Sequence, residues 1–336
     1  MRIWFNHWFS TAYHLINMIK DGDPGKFYFI GTSTNPVAMY KKVCDEWYEE
    51  KDGLKADEYI TFCLDFCKEH NVDVFVPRRY LVEVVKHREE FENIGVKVFA
   101  HSDADVIVML DDKQKTYEHF KEIDNEIIPE ICIAHSFDEF CNCYEKLQKL
   151  YERVCYKLVV DEGARSFRVI DNNINTLKGV LEKPGSKVTY EMAKQILEQY
   201  DFENPMLLMP YLSGVEISVD CLATHSGNLI IPRYKTNKRY SEVIFGKKII
   251  QKCDYIMNCL GIKMPMNIQF KINDGNLYLL EINPRMSGGL QLSCKATGIN
   301  LPSIAMNQLL GKDIEWEYPQ FDSRKVAHIE TPVIVG

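Results

Sequence analysis

Short apolar runs alternate with helical patterns along the first hundred residues of the chain. The runs RIWF, KFYFIG, VDVFVP and KVFA are separated by segments with helical spacing of apolar residues, around 15–18, over 59–69 and from about 80. Short strands that alternate with helices are typical of βαβ units, in which the strands pair in parallel. The pattern therefore predicts an N-terminal α/β domain built on a parallel sheet.

The pattern changes near residue 111. A helix is expected after a cap at Asp111 or Asp112, the apolar run ICIA follows, and a second helix is expected over 137–151. The stretch CYKLVVDEGARSFRVI has β-rich runs on both sides of a small-residue turn, which predicts a hairpin with Gly163 at or near its tip. A third helix is predicted over 188–200.

Antiparallel strands are predicted for most of the remaining chain. The segments PMLLMPYLSGVEISVDCLA, NLIIPRY and MNIQFKINDGNLYLLEIN read as strands, with a helix near 245–260 before the last of them. Interleaved helices and antiparallel strands favour an α+β region. The fold class expected for the whole chain is therefore α/β plus α+β.

Polar residues interrupt the apolar strand in LYLLEINPRMSGG, residues 277–289. Alternation along a strand places Glu281 and Asn283 on one face, with Arg285 close behind. A buried carboxylate beside a carboxamide is costly unless both are paired or hold a cation, and both offer the hard oxygens that Mg²⁺ prefers. The alternative is an edge strand with one solvated face.

Composition narrows the class of protein. A length of 336 residues suits about two domains, and a net charge of −8 with a pI near 5.7 gives no general reason to expect nucleic acid or a membrane as partner. Eleven cysteines lie scattered in apolar segments, which favours a reducing compartment with buried thiols. The N-terminus lacks the unbroken apolar core of a signal peptide. We expect a soluble, cytoplasmic protein.

The N-terminal domain lacks a dinucleotide-binding fingerprint. The turn after its first strand, NHWFSTAYH, contains no glycine, whereas that fingerprint needs G-x-G-x-x-G. Ligands of open parallel sheets nevertheless bind outside the carboxyl ends of the strands. His7, Trp8, Arg78 and Arg79 follow two such ends, as binding residues or as ordinary loop residues.

Four features, taken together and in this order, resemble the ATP-grasp superfamily. They are a lysine at a helix start, a strand lysine before a hairpin, an apolar strand leading to a glutamate, and a final polar strand. The similarity is to carbamoyl phosphate synthetase large-subunit domains and carboxylate-amine ligases, over roughly residues 105–310. It is clearest in MNIQFKINDGNLYLLEINPRMSGGLQLSCKATGINLP. The resemblance implies an ATP-grasp fold with a pre-ATP-grasp α/β domain (1–110), a mobile lid (111–207) and an antiparallel C-terminal core with the metal site (208–336).

The resemblance implies a metal site on the last hairpin. Gln269, Glu281 and Asn283 correspond to the metal ligands, and Glu281 would bridge two Mg²⁺ ions. Mn²⁺ is the alternative metal. Two divalent ions would neutralise a triphosphate and orient its γ-phosphoryl group. Arg285 would donate to the transferred phosphoryl group or to an acyl phosphate, because its planar fork matches oxygens bidentately.

The same resemblance implies an ATP site. Lys113 and Lys157 would contact the phosphates, and the backbone at Pro210 and Leu212 would lie along the adenine edge. Glu216 would accept hydrogen bonds from the ribose hydroxyl groups.

Two further segments, the lid loop and a basic stretch, belong to the expected site. The resemblance implies that the lid loop closes over the phosphates of ATP and that Gly163 is one of its cofactor-binding residues. The loop has few other glycines, so we expect it to be stiffer than the lids of relatives and less able to wrap a nucleotide. The segment IPRYKTNKRY, 231–240, is basic with interleaved aromatic residues, a pattern that is also found in proteins that bind single-stranded nucleic acid. In a chain this acidic, a clamp for phosphate or carboxylate groups is favoured, with Arg233 as the best match.

The function implied is ATP-dependent ligation. A carboxylate attacks the γ-phosphate to give an acyl phosphate and ADP, and an amine or similar nucleophile then displaces phosphate, with no protein nucleophile. Two alternatives stay open: an ATP-binding regulatory module without turnover, favoured by the glycine-poor lid, and a phosphotransferase on the same fold.

The expected partners are small molecules. The substrates would be a carboxylate and an amine, and Arg78 and Arg79 predict an anionic group on at least one of them. No nucleic-acid or membrane partner is expected. The sequence leaves the oligomeric state open, and a homodimer is compatible with it.

The parity of the last hairpin provides a geometric test. Opposed residues of an antiparallel pair share a face, so a two-residue Asp274-Gly275 turn in regular strands would put Gln269 and Glu281 on opposite faces. A shared metal site therefore predicts a three-residue loop, 274–276, or a bulge with the same effect on parity.

Overall fold

The computed structural model describes residues 1–161, 165–174, 185–236 and 239–334. The chain forms two compact units. The first consists of Met1–Val108, Glu216–Gln269 and Ile282–Gly336, and the second of Met109–Val215 and Phe270–Glu281. The three domains expected from the sequence stay a prediction.

A parallel sheet forms the N-terminal part of the first unit. Its strands are β1 (Arg2–Asn6), β2 (Tyr28–Ser33), β3 (Glu46–Glu49), β4 (Val74–Val76) and β5 (Lys97–Val98). They lie in the order β3-β2-β1-β4-β5, and each neighbouring pair is parallel. The predicted parallel sheet is confirmed. Strand β3, EWYE, was not predicted because its partly buried edge position leaves no apolar run.

Helices cover both faces of this sheet. They are α1 (Ala12–Gly22), α2 (Ala56–Glu69), α3 (Leu81–Lys86), α4 (Arg88–Asn93) and α5 (Ala104–Asp111), with a 3₁₀ helix at Met39–Val43. Alternation along β1 sends Ile3 and Phe5 into a core that includes α1, while Trp4 enters a second core with α2. Burial on both faces explains why RIWF is a continuous apolar run.

The second unit is built around a mixed sheet. Its strands are β6 (Cys132–Ala134), β7 (Val154–Leu158), β8 (Arg168–Ile170), β9 (Lys187–Val188) and β10 (Met206–Pro210), in the order β6-β10-β7-β8-β9. Its helices are α6 (Lys113–Ile123), α7 (Phe137–Gln148) and α8 (Tyr190–Leu197), with a 3₁₀ helix at Asn125–Ile127. Strands β7 and β8 pair antiparallel, which confirms the hairpin expected there.

The helices of the second unit begin at residues that the sequence indicates. The Asp112 side chain accepts from the amide of Lys115, and Ser136 accepts from the amide of Glu139. Such caps satisfy amide groups that have no partner inside the helix. The alternative cap, Asp111, is instead the last residue of α5.

A third, six-stranded sheet dominates the C-terminal half. Its strands are β11 (Glu216–Thr224), β12 (Gly227–Lys235), β13 (Ser241–Val243), β14 (Met266–Asn273), β15 (Asn276–Asn283) and β16 (Arg324–Val326), in the order β15-β14-β11-β12-β13-β16. The helices here are α9 (Lys247–Leu260), α10 (Leu290–Thr297) and α11 (Leu301–Leu309). Within the first unit, Leu229 and Ile231 of β12 share a core with Ile3 and Phe5, so both of its sheets pack around one interior.

Two cysteines depart from the expected pattern of thiols. Cys132 and Cys143 form a disulfide, with their Cα atoms 5.7 Å apart. Nine cysteines of the described chain are free, six of them buried. The expectation of thiols throughout is therefore wrong for this pair. In the described part of the chain, no helix combines the length and the apolar character needed to cross a bilayer.

We predict that Gly214→Ala destabilises the second unit. A Cβ atom at this position would lie 1.5 Å from the carbonyl oxygen of Ile272, so the backbone must move. We expect a loss of about 1–3 kcal/mol in the free energy of unfolding, measured by urea denaturation. Gly185→Ala is the matched control, since a Cβ there meets no atom within 4 Å. Equal stability of the two variants would contradict the prediction.

Candidate functional site

Two buried lysines of the second unit form the centre of its candidate site. Lys113, the first residue of α6, donates from Nζ to the carbonyl oxygens of Val159 (3.3 Å) and Asp161 (2.9 Å). Lys157 is the fourth of the five residues of β7, and both lysines are less than a tenth exposed. Burial, and next the charge of Lys113, lower the pKa of Lys157 to about 8. The two ammonium groups are therefore close enough to repel each other.

Glu281 supplies negative charge to this pair. Burial lowers the pKa of Lys113, and the Glu281 carboxylate is the largest influence that opposes it. The same carboxylate opposes the lowering at Lys157. Tyr117 fixes the strand nearby, because its hydroxyl donates to the carbonyl oxygen of Leu280 at 2.8 Å. Lys113, Lys157 and Glu281, all predicted site residues, thus belong to one electrostatic group.

The predicted adenine segment ends strand β10. Pro210 and Leu212 are both buried. Glu216, at the start of β11 in the first unit, lies directly opposite Lys235 and accepts a hydrogen bond from it in an ion pair. The predicted ribose acceptor is therefore already occupied by a lysine, which a ribose hydroxyl would have to displace or share. Gly163 lies outside the described residues.

The turn of the last hairpin differs from the three-residue loop that we expected. Strand β14 ends at Asn273 and β15 begins at Asn276, so Asp274 and Gly275 alone form the turn. Their φ values are +50° and +78°, as a type I′ turn requires. The expectation of a three-residue loop is wrong, because the Asp-Gly pair adopts the tight turn that its sequence favours.

Burial along β15 nevertheless changes phase. Leu277 and Leu279 are buried, and the next buried residue is Ile282, three positions further on. A regular strand buries every second residue, so the phase shifts by one at Leu280 and Glu281. A bulge, the other form of the expectation, would produce such a shift, and it stays a prediction. The shared metal site itself stays a prediction.

Short contacts orient the other predicted ligands within the first unit. The side-chain nitrogen of Gln269 donates to Oδ1 of Asn267 at 3.2 Å, which leaves the Gln269 oxygen as its remaining polar atom. Arg285 donates to Oδ1 of Asn283 at 3.1 Å and lies over the ring of Phe9. Oxygen donors of this kind suit Mg²⁺.

Histidine, cysteine and acidic side chains offer no alternative metal site among the described residues. Within ranges 1–161, 165–174, 185–236 and 239–334, no three histidine, cysteine or acidic side chains group as a metal site. The predicted set consists of one carboxylate, Glu281, and two carboxamides, Gln269 and Asn283. It is therefore not a group of three histidine, cysteine or acidic side chains.

A buried polar network that the sequence reasoning missed centres on Asp220. Its carboxylate accepts from Ser287 and Ser293 at 2.6 Å each and from Asn267 at 2.9 Å. Asp220 and Ser218 lie two residues apart on β11, so period-two polar positions inside an apolar strand were the available signal. The network holds α10 and the segment before it against the sheet.

Arg233 is part of the same network. It is 5% exposed and donates from Nε to Ser293 (3.3 Å) and from a terminal nitrogen to Ser218 (3.2 Å), which lies opposite it across β11 and β12. Gly289 allows this position, because a Cβ there would lie 2.2 Å from the guanidinium. The predicted clamp is thus a buried, pre-positioned arginine rather than an exposed one.

Glu50 organises the carboxyl edge of the parallel sheet. Its buried carboxylate lies 2.5 Å from Nε2 of His7 and 3.6 Å from Arg79, and it accepts from the hydroxyls of Thr32 (2.5 Å) and Tyr59 (3.2 Å). The sequence reasoning missed this residue because it follows the unpredicted strand β3.

The other residues predicted at that edge are held by the strands. The amide of Arg78 donates to Oδ1 of Asn6 at 2.6 Å, and the indole of Trp8 donates to the carbonyl oxygen of Val76 at 2.9 Å. Glu50 already balances the charge of Arg79. The anionic substrate expected from Arg78 and Arg79 stays a prediction.

Comparisons with known proteins match part of the chain to a family model and to a curated relative. Residues 202–332 match a family model described as ATP-grasp in the biosynthetic pathway with Ter operon. The large chain of the arginine-specific carbamoyl phosphate synthase of Geobacillus stearothermophilus is 33% identical over 135 residues. That match covers 35% of this chain and 13% of the relative, so the alignment spans about an eighth of the relative's length.

Solved structures extend the similarity to most of the chain. The biotin carboxylase domain of the 2-oxoglutarate carboxylase of Hydrogenobacter thermophilus, solved with MgADP, ADP and bicarbonate, has a TM-score of 0.65 at 15% identity. That match covers 94% of this chain and 71% of the other. The L-amino acid ligase of Bacillus licheniformis gives 0.64 at 12% identity, covering 92% and 74%. The fold class and the resemblance derived from the sequence are confirmed.

We predict that Asp220→Ala strongly destabilises the first unit. Removal of the carboxylate leaves the buried donors Ser287, Ser293 and Asn267 without this acceptor, which should cost about 1–3 kcal/mol in the free energy of unfolding for each donor left unsatisfied. Chemical denaturation measures the change. Asp322→Ala, at an exposed aspartate of the same unit, is the control. A loss no larger than that of the control would show that the network does not stabilise the unit.

Proposed function

We propose that this chain, which has the ATP-grasp fold, is an ATP-dependent ligase that activates a carboxylate as an acyl phosphate and couples it to an amine or a similar nucleophile. ADP and phosphate are the other products. The observation that carries the proposal is the burial of Lys113 and Lys157, whose charges oppose each other and are offset in part by Glu281. Two buried like charges are costly alone, and a polyphosphate would offset that cost.

Each residue of the proposed site would have its own role in binding or catalysis. Lys113 and Lys157 would bind and orient the phosphates, and the backbone at Pro210 and Leu212 would receive the adenine ring. Arg233 and Arg285 would stabilise the charge that develops on the transferred phosphoryl group and on the acyl phosphate. Arg233 suits this role because the protein already fixes its guanidinium, so little reorganisation accompanies the reaction.

Gln269, Glu281 and Asn283 would hold Mg²⁺, with Mn²⁺ as the alternative. Their oxygens are the donor type that this ion prefers. The bound metal would neutralise the triphosphate and favour in-line transfer. Gln269 already directs its nitrogen to Asn267, which suits a metal-facing oxygen. We also propose a cytoplasmic location, which the nine free thiols of the described chain support and the Cys132–Cys143 disulfide does not.

The function can be tested by ADP release over pairs of small carboxylates and amines, anionic members included. We expect release that needs both substrates and Mg²⁺. Glu281→Gln keeps the size of the side chain but removes its charge, so turnover should fall at least a hundredfold while circular dichroism is unchanged. Glu242→Gln, on β13, is the control. Near-normal activity of the Glu281 variant would remove that residue from the mechanism.

Two other results would replace the proposed reaction. A phosphorylated product formed without coupling would identify a phosphotransferase. Tight ATP binding with no turnover across the whole substrate set would identify a regulatory module. Each alternative predicts a distinct pattern of ADP and product, so the same screen separates all three.

The pKa of Lys157 predicts how ATP affinity depends on pH. With a pKa near 8 in the free protein, the side chain is charged below that pH and neutral above it. At one pH unit above this pKa, ATP affinity should therefore be about tenfold lower than at a pH well below it. Isothermal titration calorimetry measures the affinity.

Lys157→Arg gives the matched comparison. Its guanidinium stays charged throughout, so the variant should lose this pH dependence even if its affinity is lower. Lys115→Arg, at an exposed lysine of α6, should keep the wild-type profile. A wild-type profile in the Lys157 variant would assign the titration to another group.

A further inference from the structure

We propose that Cys132 and Cys143 of the second unit form a reversible disulfide, through which the redox state of a small thiol such as glutathione controls the rigidity of strand β10. The bond joins the first residue of β6 to the middle of α7. None of the residues assigned to ATP, metal or substrate chemistry is a cysteine. The disulfide would therefore regulate the proposed reaction without taking part in it.

The other cysteines of the chain indicate that this disulfide is of the reversible kind. Nine cysteines of the described chain are free, although the thiols of two of them, Cys221 and Cys253, contact each other inside the first unit. Free thiols suit a reducing compartment, in which the disulfides that do occur are usually transient or redox-sensing. The Cys132–Cys143 bond is thus compatible with the proposed cytoplasmic location if it opens and closes.

Exposure differs between the two bridged residues and sets the order of thiol exchange. Cys132 is partly exposed on the edge strand β6, whereas Cys143 is 5% exposed and belongs to the core of the second unit. A glutathione thiolate would therefore attack the sulfur of Cys132, which breaks the protein disulfide and releases the Cys143 thiolate. A second glutathione then attacks the mixed disulfide. Two glutathione thiols become one oxidised glutathione, and their two electrons and two protons pass to the two cysteines.

The reduced state has a partner ready for the buried thiol. The sulfur of Cys143 lies 3.7 Å from the carbonyl oxygen of Ile133, within reach of a weak S–H···O hydrogen bond. Once the disulfide opens, the thiol can donate to this oxygen, so reduction does not leave a buried polar group without a partner. Cys132 is partly exposed and can be solvated. Both redox states are therefore compatible with the fold.

Strand β10 links the disulfide to the proposed ATP site. Cys132 lies opposite Leu208 of β10, and two residues further on β10 ends at Pro210, in the proposed adenine segment. On its other side β10 pairs with β7, in which Lys157 lies opposite Leu207. The bridged strand is thus directly beside the strand that carries the adenine segment. This link to ATP rests on the proposed function.

Closure of the disulfide should make this part of the sheet more rigid. Strand β6 has three residues and, among the described residues, pairs with β10 alone, so few hydrogen bonds hold it in place. A covalent link to α7 restricts local opening of β6 and of the strand beside it. An adenine segment that is already ordered loses less conformational freedom when ATP binds. The oxidised form should therefore have the higher affinity for ATP.

Thiol counting on the full-length protein tests reversibility without any nucleotide. The folded protein is equilibrated with reduced or oxidised glutathione, and alkylation with mass spectrometry then identifies the bridged cysteines. We expect reduced glutathione to open the Cys132–Cys143 bond without denaturant and oxidised glutathione to restore it, with the circular dichroism unchanged. The proposal is overturned by a bond that does not form in oxidised glutathione, that resists reduced glutathione, or whose opening unfolds the second unit.

Hydrogen exchange and calorimetry test the effect on β10 and on ATP. In the reduced protein the amides of β10 should exchange about tenfold faster, and ATP affinity should be about threefold to tenfold lower. Cys132→Ser should behave as the reduced form in both glutathione buffers, and Cys143→Ala is the second open variant should the first not fold. Cys141→Ser, which removes a free thiol of the same helix, is the matched control and should respond as the wild type does.

The same measurements separate this proposal from the proposed function. If β10 exchanges faster in the reduced protein but neither form binds ATP, the proposed function fails and the control of β10 by the disulfide stands. If ATP binds to both forms with equal affinity, the proposed ATP site stands and regulation by the disulfide is overturned. Equal exchange of β10 in the two redox states would likewise overturn it.

Discussion

Charged side chains can be buried in a protein only where other groups replace the water that they lose, and this constraint shapes each candidate site in the chain. Asp220 has three buried donors, and Glu50 accepts from two hydroxyls beside His7. Each carboxylate is therefore fixed in one orientation. Both buried carboxylates are thus held by several side-chain hydrogen bonds.

The two lysines of the second unit satisfy the constraint less completely. Lys113 has two carbonyl acceptors, but Lys157 lies buried near a second ammonium, and its pKa falls to about 8. Structural ion pairs are normally arranged to keep both partners charged. An arrangement that makes one lysine easy to deprotonate is better explained by a ligand that brings negative charge. We therefore propose that Asp220 belongs to a structural network and Lys157 to a binding site.

Features that depend on neighbouring residues could be predicted from the sequence. The parallel sheet follows from apolar runs such as RIWF, and the caps at Asp112 and Ser136 follow from short polar side chains before helices. Features that depend on partners far away in the sequence could not be predicted. Glu216 is paired with Lys235 across two strands, and Asp220 collects donors from residues more than forty positions away. No local pattern specifies such partners.

The last hairpin shows how a local rule and a site requirement coexist. Asp274 and Gly275 favour a two-residue turn, which in regular strands would put Gln269 and Glu281 on opposite faces. The turn keeps its favoured form, and the burial phase instead changes within β15, at Leu280 and Glu281. An irregularity inside a paired strand costs backbone regularity and re-aims one side chain. A bulge at this point would re-aim Glu281, the only carboxylate of the proposed metal set, so we propose that the change in burial serves the site rather than the fold.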